Sequence, residues 1–276
     1  MSLETAARLH SEKSAHFYLP DGTPLYEVPY ADPSKGMRAA TLADARKVGA
    51  YVSVTTVTRV LDRPGLNEWR TEQAVLAVLS TPQKPGESLD EYVHRVLQVE
   101  KVQEQESAKA RDLGTQIHDA LSNALSGRDW DKSLSAFVDP VVEWARATGR
   151  VVWTEKVLVG EGYAGRADLL LDQDLLNCLV VTDFKTTGKL PEKDSWPEHK
   201  LQTAAYAKAY QSIAETMGVE VWGKRIITGN VYISTKEPGQ FKVFTQDDWQ
   251  RTYACGFRPV LDYYMWANNY YPGRKI

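Results

Sequence analysis

Near residue 150 the chain changes its hydrophobic period, and this constrains the fold more than any other feature of the sequence. Upstream, from Leu89 to about Gly127 and again from Phe137 to Ala147, apolar residues recur at helical spacing. Val93, Val96 and Leu97 lead to Ile117, Leu121 and Leu125, and then to Phe137, Val141 and Val142. Spacings of three and four collect these side chains on one face of a helix. Downstream come three short runs of β-branched and apolar residues, 151–159, 165–171 and 179–184, separated by GEGYAG and DQDLLN. The separators supply the Gly, Asp and Asn of tight turns, so the runs read as antiparallel strands. A helix over about 199–217 (Leu201, Ala205, Ala209, Ile213), strands over 226–234 and 241–244, and a helix over about 247–266 complete the series. This order predicts an α/β protein carrying extra helices.

Three regions follow. Residues 1–50 are turn-rich (LPDGTP, ADPSKG) and read as an irregular or hairpin lead-in. Residues 51–148 read as an N-terminal helical accessory layer. There Ser53 or Thr55 caps a short helix, Arg63-Pro64-Gly65 breaks it, and a second helix runs to about Leu79. Residues 149–276 form the core. No Pro/Gly/Ser-rich linker divides the chain, so one structural domain overall is expected.

Composition narrows the function classes. The two cysteines, Cys178 and Cys255, belong to no CxxC or Cys/His cluster, which argues against a structural zinc or a protein-held iron–sulfur cluster and for a reducing compartment. No apolar run resembles a signal peptide or a membrane span, so a cytoplasmic protein without a membrane partner is expected. The net charge of −3 neither requires nor forbids a nucleic-acid partner, because phosphate contacts need only a local basic track.

The chemistry gathers at strand ends. Asp168 lies in GRADLLL, and Asp183 and Lys185 lie in VVTDFKT. Residues two apart on a strand share a face, so Asp183 and Lys185 project together while Phe184 turns to the core. A hairpin joining the two strands sets the carboxylates of Asp168 and Asp183 side by side. Such a pair repels unless a cation neutralises it, and hard oxygen ligands favour Mg²⁺ or Mn²⁺, with the Phe184 carbonyl as a further candidate ligand. The Lys185 ammonium is placed to orient water or to stabilise charge on a phosphate. His118 lies mid-helix in GTQIHDAL, and Gln202 and Tyr206 stand one helical turn apart in LQTAAYAKAY.

The ordered motifs GxxxH (Gly114–His118), GRAD (Gly165–Asp168), DFKT (from Asp183) and QxxxY (Gln202–Tyr206) resemble the PD-(D/E)XK nuclease superfamily, and within it the RecB-type exonuclease branch. The stretch SVTTVTRVLDRPGLNEW (Ser53–Trp69) is similar to a segment shared by phage exonucleases and the mitochondrial genome-maintenance exonuclease. The likeness covers roughly residues 52–245. It implies a restriction-endonuclease-like core with a mixed β-sheet flanked by helices, metal ligands His118, Asp168 and Asp183, a catalytic Lys185, and Gln202 and Tyr206 touching nucleic acid or bracing the site. Glu155 matches an acidic family position. Unlike the branch members whose four cysteines hold a cluster, this chain has two.

The expected activity is metal-dependent hydrolysis of DNA by an exonuclease acting on single strands or ends. The alternatives are a structure-specific endonuclease of the same fold and a non-catalytic DNA-binding recombination subunit. A recombinase, a helicase or a single-strand-binding protein is a candidate partner. Arg59, Arg63, Arg70, Lys109 and Arg111 are expected to hold phosphates along an arch of the accessory helices, with Lys189, Lys193, Lys200 and Lys208 as a basic margin. Tyr263, Trp266 and Tyr270, at helical spacing near the end of the chain, are expected in the core.

Overall fold

The computed structural model describes residues 17–61, 64–216 and 223–273, apart from the side chains of 64–66, 69–70 and 99–111. The chain divides into two compact units, Met1–Leu61 with Ala120–Ile276, and Asp62–Asp119.

The first unit is organised by β6 (Tyr163–Gln173), whose residues are almost all buried. Along one edge it pairs antiparallel with β5 (Arg150–Val159) over nearly its whole length. Its other edge is shared. The start of β6, at Tyr163 and Ala164, pairs parallel with β4 (Tyr51–Ser53). Its end, from Leu169 to Gln173, pairs antiparallel with β7 (Cys178–Thr187). Residues 165–168 lie between these two ladders, where β4 and β7 part.

The sheet is completed by β1 (Phe17–Tyr18) on β4, by β8 (Arg225–Ser234) parallel to β7, and by β9 (Phe241–Gln246) antiparallel to β8. The sheet is thus mixed, and the three strands from 150 to 187 are antiparallel as the turn chemistry predicts. The β7–β8 crossover is α6 (Pro197–Thr216), as a parallel pair requires a long connection.

α6 covers one face of the sheet. Its Ala204, Ala205, Tyr206 and Ala209 form a core with Leu170, Leu179, Val181, Trp249 and Phe257, and Tyr163 donates its hydroxyl hydrogen to the Ala205 carbonyl at 3.0 Å. Small alanines let α6 approach the sheet closely. α5 (Ser135–Thr148), with buried Val138, Val141, Val142 and Ala145, packs on β5 and β6.

The lead-in is more regular than its composition predicts. β2 (Glu27–Pro29) and β3 (Met37–Ala39) form the expected hairpin, but α1 (Leu42–Val48) follows. A reciprocal Thr41–Asp44 capping box starts α1, and Gly49 at φ 66° ends it. Ser53 caps the short α2 (Val54–Thr58), accepting from the Thr56 amide at 3.1 Å. At the other end, α7 (Trp249–Thr252) passes through a π-helical turn at Tyr253–Phe257 into α8 (Arg258–Ala267).

α8 corrects one expectation. Its buried face is Leu261, Tyr264 and Met265, so Tyr263 and Trp266 fall on the opposite side, 57% and 69% exposed, while Tyr270 beyond the helix is buried. Spacing predicts all three in the core. Helical spacing alone does not say which of two faces is turned inward.

The second unit holds α3 (Pro64–Ser80) and residues 89–119 of α4 (Leu89–Leu125). Ser88 and Glu91 cap α4 reciprocally. Arg95 binds both carboxylate oxygens of Glu87, at 2.9 and 2.7 Å, and this lowers the Glu87 pKa to about 2. Among the described residues no helix is long and apolar enough to cross a membrane.

Candidate active site

The site lies where β6 and β7 part. The last ladder partners there are Leu169 and Thr182, so continuing the register sets Asp168 opposite Asp183. In place of a further ladder bond, Asp168 Oδ2 accepts the Phe184 amide at 2.6 Å. In a strand the N–H and C=O of one residue point to the same edge, so the Phe184 carbonyl also faces the opening occupied by Asp168. The Phe184 ring is buried.

A slip in the pleat of β6 contributes to this arrangement. A Cβ at Gly165 would meet the Tyr206 ring on α6 at 2.7 Å, and Leu170 packs in the same α6 core. Residues five apart on a regular strand face opposite ways. The alternation therefore slips by one between them, in the stretch that holds Asp168. Directly across on β5, between the pairs Thr154↔Leu169 and Lys156↔Ala167, Glu155 has φ 50°, a conformation that costs a non-glycine residue about 1–3 kcal/mol. The Glu155 carboxylate lies 3.3 Å from the Arg166 guanidinium.

Asp183 is held from two sides. Lys185 Nζ lies 2.5 Å from Oδ2, as the i,i+2 spacing predicts, and Gln202 Nε2 donates to Oδ1 at 3.0 Å. The second hydrogen of that amide goes to the Tyr206 hydroxyl, 2.9 Å away. Gln202 and Tyr206 are both buried, so these polar groups brace Asp183 instead of facing solvent.

The electrostatics follow from burial. Asp168 is 8% exposed and Asp183 2%. Burial raises the pKa of Asp168 well above the usual carboxylate range, and the negative charges of Asp183 and Glu155 raise it further. Burial also raises Asp183, against the opposing charge of Lys185. Two carboxylates in one dry opening with a single ammonium on one of them favour either a retained proton or an added cation. Among the described residues no three His, Cys, Asp or Glu side chains cluster as a metal site. The residues present nonetheless fit a hard divalent ion in donor chemistry: two carboxylates, with a backbone carbonyl on the same edge.

His118 is a half-buried residue of α4 in the unit Asp62–Asp119, and the ligand role expected of it rests on the GTQIH motif. Arg59 ends α2 and is exposed, as is Lys189 in the loop after β7. Arg63 lies outside the described residues, and so do the side chains of Arg70, Lys109 and Arg111. Sequence reasoning missed Trp196, His199 and Tyr232, an aromatic group next to Lys185. The signal was available: His199 precedes Gln202 by three residues on one helix.

Residues 128–263 match the family model described as the PD-(D/E)XK nuclease superfamily. The matched segment contains Glu155, Asp168, Asp183, Lys185, Gln202 and Tyr206, and begins after His118. No curated protein matches the chain.

Proposed function

From the match of residues 128–263 to the PD-(D/E)XK nuclease superfamily, we propose that the protein is a divalent-metal-dependent deoxyribonuclease of that superfamily that acts as an exonuclease on single-stranded DNA or DNA ends. The observation that carries this reading is the meeting of Asp168 and Asp183 at the parted strands, with Lys185 on Asp183.

Asp168, Asp183 and the Phe184 carbonyl are the proposed Mg²⁺ or Mn²⁺ ligands, and the sequence resemblance adds His118. When bound, the ion supplies Lewis acidity toward the scissile phosphate and offsets the repulsion of the carboxylates. Lys185 orients the attacking water and stabilises the charge that develops on phosphorus oxygens in the transition state. The Phe184 amide fixes the carboxylate plane of Asp168, and the Gln202–Tyr206 pair fixes that of Asp183. Glu155 and Arg166 flank Asp168 and set the charge around it. Arg59, Arg63 and Lys189 are proposed phosphate contacts.

The test is digestion of end-labelled single-stranded, double-stranded and covalently closed single-stranded DNA with Mg²⁺. Stepwise loss from linear single strands, with the circle left intact, is the expected result. Cleavage of the circle at the linear rate overturns the exonuclease reading, and absence of any hydrolysis with Mg²⁺ or Mn²⁺ overturns the nuclease reading.

A further inference from the structure

The loop after β7 brings an aromatic pier up to Lys185. Tyr232 is the register partner of Lys185 on the parallel strand β8, so the two side chains stand next to each other on the same face. The buried Tyr232 ring meets Phe244 on β9 at 5.9 Å and Trp196 at 5.2 Å, the latter nearly perpendicular at 80°. His199 closes the group, 5.4 Å from the Trp196 ring and 5.6 Å from Tyr232.

Trp196 is fixed by its backbone as well. Its amide donates to the Tyr232 hydroxyl at 3.1 Å, and its carbonyl accepts the His199 and Lys200 amides that start α6. His199 Nδ1 lies 2.9 Å from the same hydroxyl. A tryptophan placed only to close the core is expected to be buried, yet this one remains 38% exposed. Exposed Lys189 and Lys193 belong to the same loop, which Lys242 ties down by donating to the Pro191 carbonyl at 2.9 Å.

We propose that Trp196 is a base-stacking platform that receives an unpaired base of the substrate strand next to the scissile phosphate. The inference rests on the nuclease reading above and adds to it the requirement that the strand be unpaired there. A held, half-open indole beside flexible cations is the combination that binds single strands, because every base has an aromatic face and every phosphate a charge. A base inside a duplex has both faces covered by its stacked neighbours and cannot reach Trp196 without leaving the stack.

The experiment measures binding of a labelled single-stranded oligonucleotide by fluorescence anisotropy in EDTA, where no turnover occurs. It uses the full chain as wild type, Trp196→Ala and Trp196→Phe, with circular dichroism to check that each variant folds. The same three proteins are then tested with oligonucleotides carrying one abasic residue, moved stepwise along the strand. Trp196→Ala is expected to weaken binding about 5- to 100-fold, the range that loss of one stacked base produces, with Trp196→Phe close to wild type. At one abasic position the wild type is expected to fall to the level of Trp196→Ala. Unchanged binding in Trp196→Ala overturns the platform, as does an equal weakening at every abasic position, which would mark a packing role. Wild-type protein that cleaves DNA while either of those results holds retains the nuclease reading and loses only the platform. Wild-type protein that neither binds nor cleaves any DNA removes both.

Discussion

Gln202 divides its side-chain amide between two buried acceptors, Asp183 Oδ1 at 3.0 Å and the Tyr206 hydroxyl at 2.9 Å. One helical turn of α6 thereby orients a carboxylate nineteen positions earlier in the chain. Replacing Gln202 by Leu removes the donor and leaves Asp183 Oδ1 and the Tyr206 hydroxyl without it. The expected outcome is a loss of about 10–100-fold in activity, with a raised Mg²⁺ concentration at half-saturation, as when a group behind a metal ligand is lost. Tyr206→Phe is expected to cost less, because the bond to Asp183 survives. A metal titration of the three proteins checks this, and an unchanged half-saturation for Gln202→Leu would refute the bracing role.

Lys185→Ala should separate binding from chemistry. Cleavage is expected to fall by at least about 10²–10³-fold, the usual cost of removing one transition-state donor. Affinity for single-stranded DNA in EDTA should stay near wild type. Asp183→Asn should lose cleavage together with metal affinity. Initial rates on an end-labelled strand decide the matter, and a wild-type rate for Lys185→Ala would displace the whole assignment.

Metal affinity should rise with pH. The Asp168 carboxyl is raised by burial and by Asp183, so in the metal-free protein the pair retains a proton into a range where a free carboxylate has lost it. A cation must displace that proton. Apparent affinity for Mn²⁺ is therefore expected to strengthen as pH increases through the raised pKa, and then to level off. Calorimetric titration at several pH values tests this, and a flat profile would contradict it.

The same shift carries a stability sign. A carboxyl whose folded pKa lies above its unfolded value stabilises the fold while protonated, and that contribution is lost as pH rises through the folded pKa. In EDTA at a pH above that folded pKa, Asp168→Asn removes the buried charge while its amide oxygen can still accept the Phe184 amide. Its melting temperature should exceed that of wild type, and a decrease would argue against the electrostatic account.

Gly165 is predicted to be intolerant of any side chain. A Cβ there would sit 2.7 Å from Tyr206 Cε1 and 3.2 Å from Val54 Cγ2, both on buried side chains. Gly165→Ala should destabilise the protein by about 1–3 kcal/mol, the range for overpacking. It should also reduce activity by displacing Tyr206 from Gln202. Adding Val54→Ala should recover part of the stability but little of the activity, measurable by denaturant unfolding and initial rates.

Local geometry is legible in the order of residues alone. The pairing of Asp183 with Lys185 needs only the two-residue repeat of a strand, and the joint face of Gln202 and Tyr206 needs only the helical turn. The change of period at residue 150 places the strands, and Ser53 and the β-turn residues mark where elements begin and end. α1 is not legible in this way because its seven residues are too short to show a period, and a capping box and a left-handed glycine set its limits. Tyr263 and Trp266 depart from the expected core because Leu261, Tyr264 and Met265 take the inward face of α8.

The sequence by itself determined which chemical groups this protein carries and the order of the elements that present them, since both follow from contacts within a few residues. Only the tertiary structure decided how Asp168 meets Asp183. The pleat of β6 slips between Gly165 and Leu170, Glu155 takes a positive φ across from Asp168, and the Phe184 amide turns to a side chain in place of a ladder partner. The bond of Gln202 to Asp183 and the packing of Trp196 on Tyr232 were likewise settled by segments distant in the chain. Burial of Asp168 and Asp183 is a property of the packed whole, because removing a charge from water depends on everything that covers it.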